Sequence, residues 1–139
     1  MPDNKAIGGA TQAIAVSALR AQQARMRIIA ENLANANSTS RTPGGNPYRR
    51  QAPVFQPTQV AGGTGVKMVR VAPDTTDFKS DYEPGNPSAD AQGYVKLPNV
   101  DPLIEAMDMR EAQRAYEANL NVIETSRAMD MRVLDILKK

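Results

Sequence analysis

Apolar residues in the last 39 positions recur at three- and four-residue steps. Ala115, Ala118, Asn119, Val122, Ser126, Met129, Val133 and Ile136 fall on one helical stripe, with Tyr116 and Ile123 beside it. Asp101-Pro102 reads as an N-cap followed by proline at the first helical position, where its missing N–H costs nothing. No Gly or Pro occurs in the 37 residues that follow, so nothing stops the helix. A second helical pattern runs from Ile7 to about Asn37, with no Pro and, after Gly9, no Gly. Ile14, Ala18, Leu19, Ala21, Met26, Ile29, Ala30 and Leu33 line one face of it.

The C-terminal helix would be roughly 55 Å long at about 1.5 Å per residue. A compact globule of this chain length is only about 37 Å across. Its own chain therefore cannot wrap it, and much of its stripe must meet another helix or another molecule. The N-terminal pattern ends in Asn32-Leu33-Ala34-Asn35-Ala36-Asn37. Asn is a poor helix former and a good helix stop. Two readings stand: a fraying end, or Asn32, Asn35 and Asn119 as register-setting polar contacts between helices.

Between the helices the pattern changes. Nearly all prolines and most glycines lie in residues 38–100. Tyr48–Phe55 is a candidate strand broken by Pro53, and Gln56–Thr64 reads as a loop. Gly65–Ala72 is the best strand, Asp74–Asp90 is loop, and Tyr94–Leu97 is a short strand. The expected fold is mainly α with a small β insert (α+β), the long terminal helices forming a coiled-coil pair. The expected divisions are residues 1–37, 38–100 and 101–139, assembled as one domain.

Composition narrows the function. The 139 residues include no Trp and two Phe, so a large aromatic core is not expected. Seven basic residues face two acidic ones in residues 1–50, whereas six face eight in residues 101–139. Oppositely biased ends suit helix pairing better than a nucleic-acid footprint. With no Cys and no His there is no disulfide, no Cys/His zinc site and no Ser-His-Asp triad. Ser17 has no base nearby, and Arg49-Arg50 is a dipeptide without interleaved aromatics. Asp74, Asp77, Asp81, Glu83 and Asp90 do not fit a calcium-loop spacing and read as a solvated acidic loop. No apolar run approaches the roughly 18 residues of a membrane span. The chain reads as a non-enzyme with no cofactor and no metal.

Ser17-Ala18-Leu19 and Ala30-Glu31-Asn32-Leu33-Ala34-Asn35-Ala36-Asn37 resemble the N-terminal signature of bacterial flagellar rod and hook proteins. The runs Arg41–Arg50, Tyr82–Pro87, Ala89–Lys96, Pro98–Asp101 and Arg114–Asn119 extend the resemblance over nearly the whole chain, closest to the proximal-rod members. The resemblance implies a structural subunit of the basal-body rod, a shaft that crosses the periplasm and transmits motor torque. It implies export by the flagellar type III apparatus without a cleaved signal peptide. The implied partners are further copies, other proximal- and distal-rod subunits and the rod–membrane-ring junction protein, with no nucleic acid and no membrane insertion. The expected subunit interface comprises Ile14, Ala18, Leu19, Met26, Ile29, Asn32, Leu33, Asn35, Ala115, Tyr116, Asn119, Val122, Ile123, Met129, Val133 and Ile136. A rival reading is a soluble helical-hairpin adaptor that binds a single protein partner.

Overall fold

The computed structural model describes residues 4–138, with side chains from residue 9 onward. Two long helices bracket four strands: α1 (Asn4–Ala34), β1 (Gln51–Val60), β2 (Gly63–Pro73), β3 (Lys79–Tyr82), β4 (Tyr94–Leu97) and α2 (Pro102–Leu137). The α+β expectation from the sequence is met. Asp101 caps α2 as its sequence requires, its Oδ1 accepting the Leu103 and Ile104 N–H groups at 3.0 and 3.5 Å. At the other end of α1, the Asn35 side chain donates to the Glu31 carbonyl at 2.9 Å and accepts from Ser38 Oγ at 3.1 Å, closing the last turn.

The middle of the chain departs from the loop-rich reading. β1 runs through Pro53 and on across Gln56–Val60, which the sequence had assigned to a loop. The physical reason is that β1 pairs only with β2, in a two-stranded sheet. Every strand of such a sheet is an edge, so alternate N–H groups need no partner. Pro53 and Pro57 are four residues apart and so point the same way along the strand, which lets both occupy the unpaired edge. Between the strands Gly62 takes a φ of 83°, the one left-handed residue of the Ala61-Gly62 turn and a conformation that glycine adopts without strain. β3 is a second departure, because Lys79–Tyr82 falls within the stretch whose sequence reads as loop. It pairs antiparallel with β4, Lys79 opposite Leu97 and Tyr82 opposite Tyr94, whose rings meet edge-on at 5.3 Å.

The chain forms two compact units. Among the described residues the first comprises 4–26, 54–70 and 111–138; the second comprises 27–53 and 71–110. In the first, Gln12 donates to Asp130 and Arg25 pairs with Glu111, each at 3.4 Å. Early residues of α1 thus meet late residues of α2, and the two run antiparallel there. The hairpin is pinned to α1 through Ser17, whose Oγ donates to the Ile14 carbonyl and accepts the Val66 N–H at 3.1 Å. In the second unit Val95 and Val100 are buried together with Ile28 and Ile29.

Candidate functional site

In the first unit, α2 turns Ala112, Ile123 and Ser126 inward, a spacing that keeps them on one side of the helix. Past Ser126 the helix loses its cover. Every residue from Met129 to Lys138 is exposed. Six of them are large and apolar: Met129, Met131, Val133, Leu134, Ile136 and Leu137, between 48% and 75% exposed. At roughly 100° per residue, Met129, Val133 and Ile136 share one face, while Met131 and Leu134 occupy the opposite one. A helix that is apolar on two opposed sides belongs in an interior, not in water.

The sixteen residues expected at an interface fall into three groups. Ile29, Asn32 and Ile123 are buried within their own unit. Ala18, Leu19, Met26, Leu33, Asn35, Ala115, Tyr116 and Asn119 are half-buried. Ile14, Val122, Met129, Val133 and Ile136 are exposed. Asn32 is held inside its own chain instead of across a helix–helix contact. Its Nδ2 donates to the Gln51 carbonyl at 2.8 Å, and its Oδ1 accepts from the Gln51 N–H at 3.0 Å and from Tyr48 Oη at 2.7 Å. The side chain imitates a strand partner for Gln51, and burial of a polar group needs such complete satisfaction. The sequence pattern did not single out Met131, Leu134 and Leu137, nor Leu103, Ile104 and Met107, which are 53–71% exposed at the start of α2. Their signal is in the sequence: Ile104 and Met107 extend the same stripe toward the start of α2, while Met131 and Leu134 lie opposite it and Leu103 and Leu137 to its sides.

A second cluster organises the second unit. The Arg50 Nε donates to Glu105, its Nη1 reaches Asp74 at 3.3 Å, and its Nη2 lies 3.9 Å from Asp108. Asn99 accepts the Arg50 N–H at 2.7 Å and donates to the Asp74 and Thr76 carbonyls at 3.1 Å. Burial works against the Arg50 charge, but hydrogen bonding and attraction to Glu105 and Asp74 outweigh it, so its pKa is raised. Hydrogen bonds from Thr76, and less strongly Arg50, hold the Asp74 carboxyl below its ordinary value. Burial, then the charges of Glu31 and Glu105, push the Tyr48 hydroxyl up. Next door, Arg49 lies 4.1 Å over the Phe78 ring and donates to the Asp74 carbonyl at 2.7 Å. Asp74 is therefore drawn out of the expected acidic loop as a partner of the Arg49-Arg50 dipeptide, whereas Asp77, Asp81 and Glu83 are exposed to solvent. Nothing in this arrangement pairs a nucleophile with a base.

Comparison with known proteins decides the family. The chain is 48% identical over 131 residues to the flagellar basal-body rod protein FlgC of Agrobacterium fabrum, covering 93% of this chain and 94% of that protein. It is 46% identical to FlgC of Salmonella typhimurium, over 88% and 92% of the two chains. It is 37% identical to FlgC of Bacillus subtilis, over 90% and 95%. The chain belongs to the FlgC family of flagellar basal-body rod proteins. Family models described as "Flagella basal body rod protein" and "Flagellar basal body rod FlgEFG protein C-terminal" match residues 13–41 and 91–136. Those segments hold most of α1 and α2, including most of the uncovered end of α2, and leave the β1–β2 hairpin outside. This rod protein is thus a structural component of the flagellar basal body and not an enzyme. Among its described residues no helix is long and apolar enough to cross a membrane.

Proposed function

We propose that this rod protein polymerises through its terminal helices, with copies of itself and with other rod subunits, into the drive shaft that passes motor torque outward. The two-sided apolar end of α2 carries the reading. One docked partner covers one side of a helix, so Met129, Val133 and Ile136 need one neighbour while Met131 and Leu134 need another. A single-partner adaptor would leave half of this surface in water. Each large apolar side chain that becomes fully covered contributes about 1.5–3 kcal/mol. Several together can overcome the entropy of ordering a helix end, so folding of the ends is coupled to assembly and premature association is discouraged.

In this reading residues 1–37 and 101–139 build the shaft wall and residues 38–100 lie outside it. The contacts are heterologous, so they propagate as an open helix and not as a closed ring. Stiffness against torque follows from long helices packed side by side. The flagellar type III apparatus delivers the chain, and the rod–membrane-ring junction protein and the distal rod are its further neighbours. The test uses one charge on each face of α2, Val133→Asp and Leu134→Asp, in motile cells. Both variants are expected to vanish from extracted basal bodies and to abolish swimming. If either face tolerates the charge with normal swimming, the two-neighbour reading is wrong and the adaptor reading gains.

A further inference from the structure

A pocket of about 300 Å³ lies at the start of α2, lined by Arg50, Asp74, Asn99, Asp101, Ile104 and Glu105. Its charge is unbalanced. One guanidinium serves Asp74, Glu105 and Asp108, while Asp101 also borders the space. Glu105 is 1% exposed; one of its oxygens takes the Arg50 Nε, and the other, Oε2, is buried with no hydrogen-bond partner among the described residues. A buried carboxylate oxygen left unpaired is costly, and the four carboxylates outnumber Arg50 and the neighbouring Arg49, so the site attracts further positive charge. The complement is a group with N–H donors, a long stem and full charge at any physiological pH, which describes an arginine side chain.

The chain itself supplies such groups. Arg20 and Arg27 on α1 are exposed, and neither enters an ion pair within the described residues. They stand seven residues apart, as do Asp101, the cap of α2, and Asp108 within it. Seven residues of helix rise about 10.5 Å. Two arginines on one helix therefore match the two ends of the acidic face on another, laid parallel. We propose that in the assembled rod Arg27 from a second copy of this chain docks level with Asp108 and reaches the Glu105 pocket beside it, with Arg20 of that copy against Asp101. This deepens the assembly reading and rests on it.

The chain has no cysteine of its own, so an introduced pair reports unambiguously. Two differently tagged full-length copies, one carrying Gln23→Cys and the other Ile104→Cys, which the proposed register sets level with each other, are expressed together in motile cells. Mild oxidation is expected to give a mixed disulfide in extracted basal bodies. Asp108→Arg in the Ile104→Cys copy leaves the buried Glu105 untouched and is expected to lower the yield about tenfold, as for a close charge pair across an interface. Arg27→Asp in the other copy is expected to restore it. Incorporation of both copies without a disulfide, an unchanged yield with Asp108→Arg, or failure of the reversed pair to restore it overturns the pocket proposal and leaves the assembly reading standing. Absence of both tagged copies from the basal bodies overturns both.

Discussion

Replacing Asn32 with leucine keeps the number and branching of the side-chain heavy atoms and removes three hydrogen bonds at 2.7, 2.8 and 3.0 Å. It strands the Gln51 N–H, the Gln51 carbonyl and the Tyr48 hydroxyl. An unsatisfied buried polar group costs about 1–3 kcal/mol. Gln51 and Tyr48 are only half-buried, so water reaches part of what is stranded, and the low end applies to each. The expected loss is about 3 kcal/mol, which corresponds to roughly a hundredfold more opening of the second unit. Amide hydrogen exchange at Gln51 reads this directly, with urea unfolding as the global companion measurement. Tyr48→Phe removes one of the three bonds and should cost about 1 kcal/mol in the native chain. In the Asn32→Leu background it should cost nothing, because its hydroxyl is already unpaired. Asn32→Asp keeps an acceptor for Tyr48 but turns the donor toward the Gln51 carbonyl into a second acceptor, so it should be no milder than leucine. Exchange at Gln51 unchanged by Asn32→Leu, or a Tyr48→Phe cost equal in both backgrounds, would refute the bracket as a unit of stability.

Arg50→Ala leaves the buried Glu105 carboxylate without its cation; urea unfolding should show a loss of about 3 kcal/mol, the low end for a broken buried pair because Arg50 is itself 24% exposed. Asp74 has a carboxyl held below its ordinary value of 3.8, so its ionised form belongs to the folded state. That stability is present at neutral pH and is lost as the pH falls through the lowered value. The unfolding midpoint of the native chain should therefore approach that of Asp74→Asn only on the acid side of the carboxylate range, and a gap constant with pH would contradict it. A methyl group at Gly65 would strike Ser17 Oγ and crowd Val60, so Gly65→Ala should detach the hairpin from α1. Loss of exchange protection at the Val66 amide, which Ser17 accepts, is the measurement.

The two helices were legible because their signals are local. Asp101-Pro102 starts α2 whatever lies around it, and three- and four-residue recurrence marks a helical stripe in any context. The absence of Cys and His likewise settled which chemistries were impossible, since a missing ligand type needs no geometry. The β region was half legible. β2 and β4 carry their own alternation, whereas β1 was misread at Pro53 because a proline forbids a central strand and permits an edge. Only the partner count, one strand and no more, separates those cases.

Other assignments depended on residues far apart in sequence. Asn32 looks the same whether it frays, faces another subunit or brackets Gln51, nineteen positions on. Glu105 resembles any solvated helical glutamate until Arg50, fifty-five positions away, is set against it. Burying a polar group is favourable only where its partner already stands, and the position of that partner is a property of the fold. The sequence by itself therefore determined the long striped helices and ruled out the chemistries that need Cys or His. The tertiary structure alone decided which polar groups went inside and which apolar ones were left for a neighbour to cover.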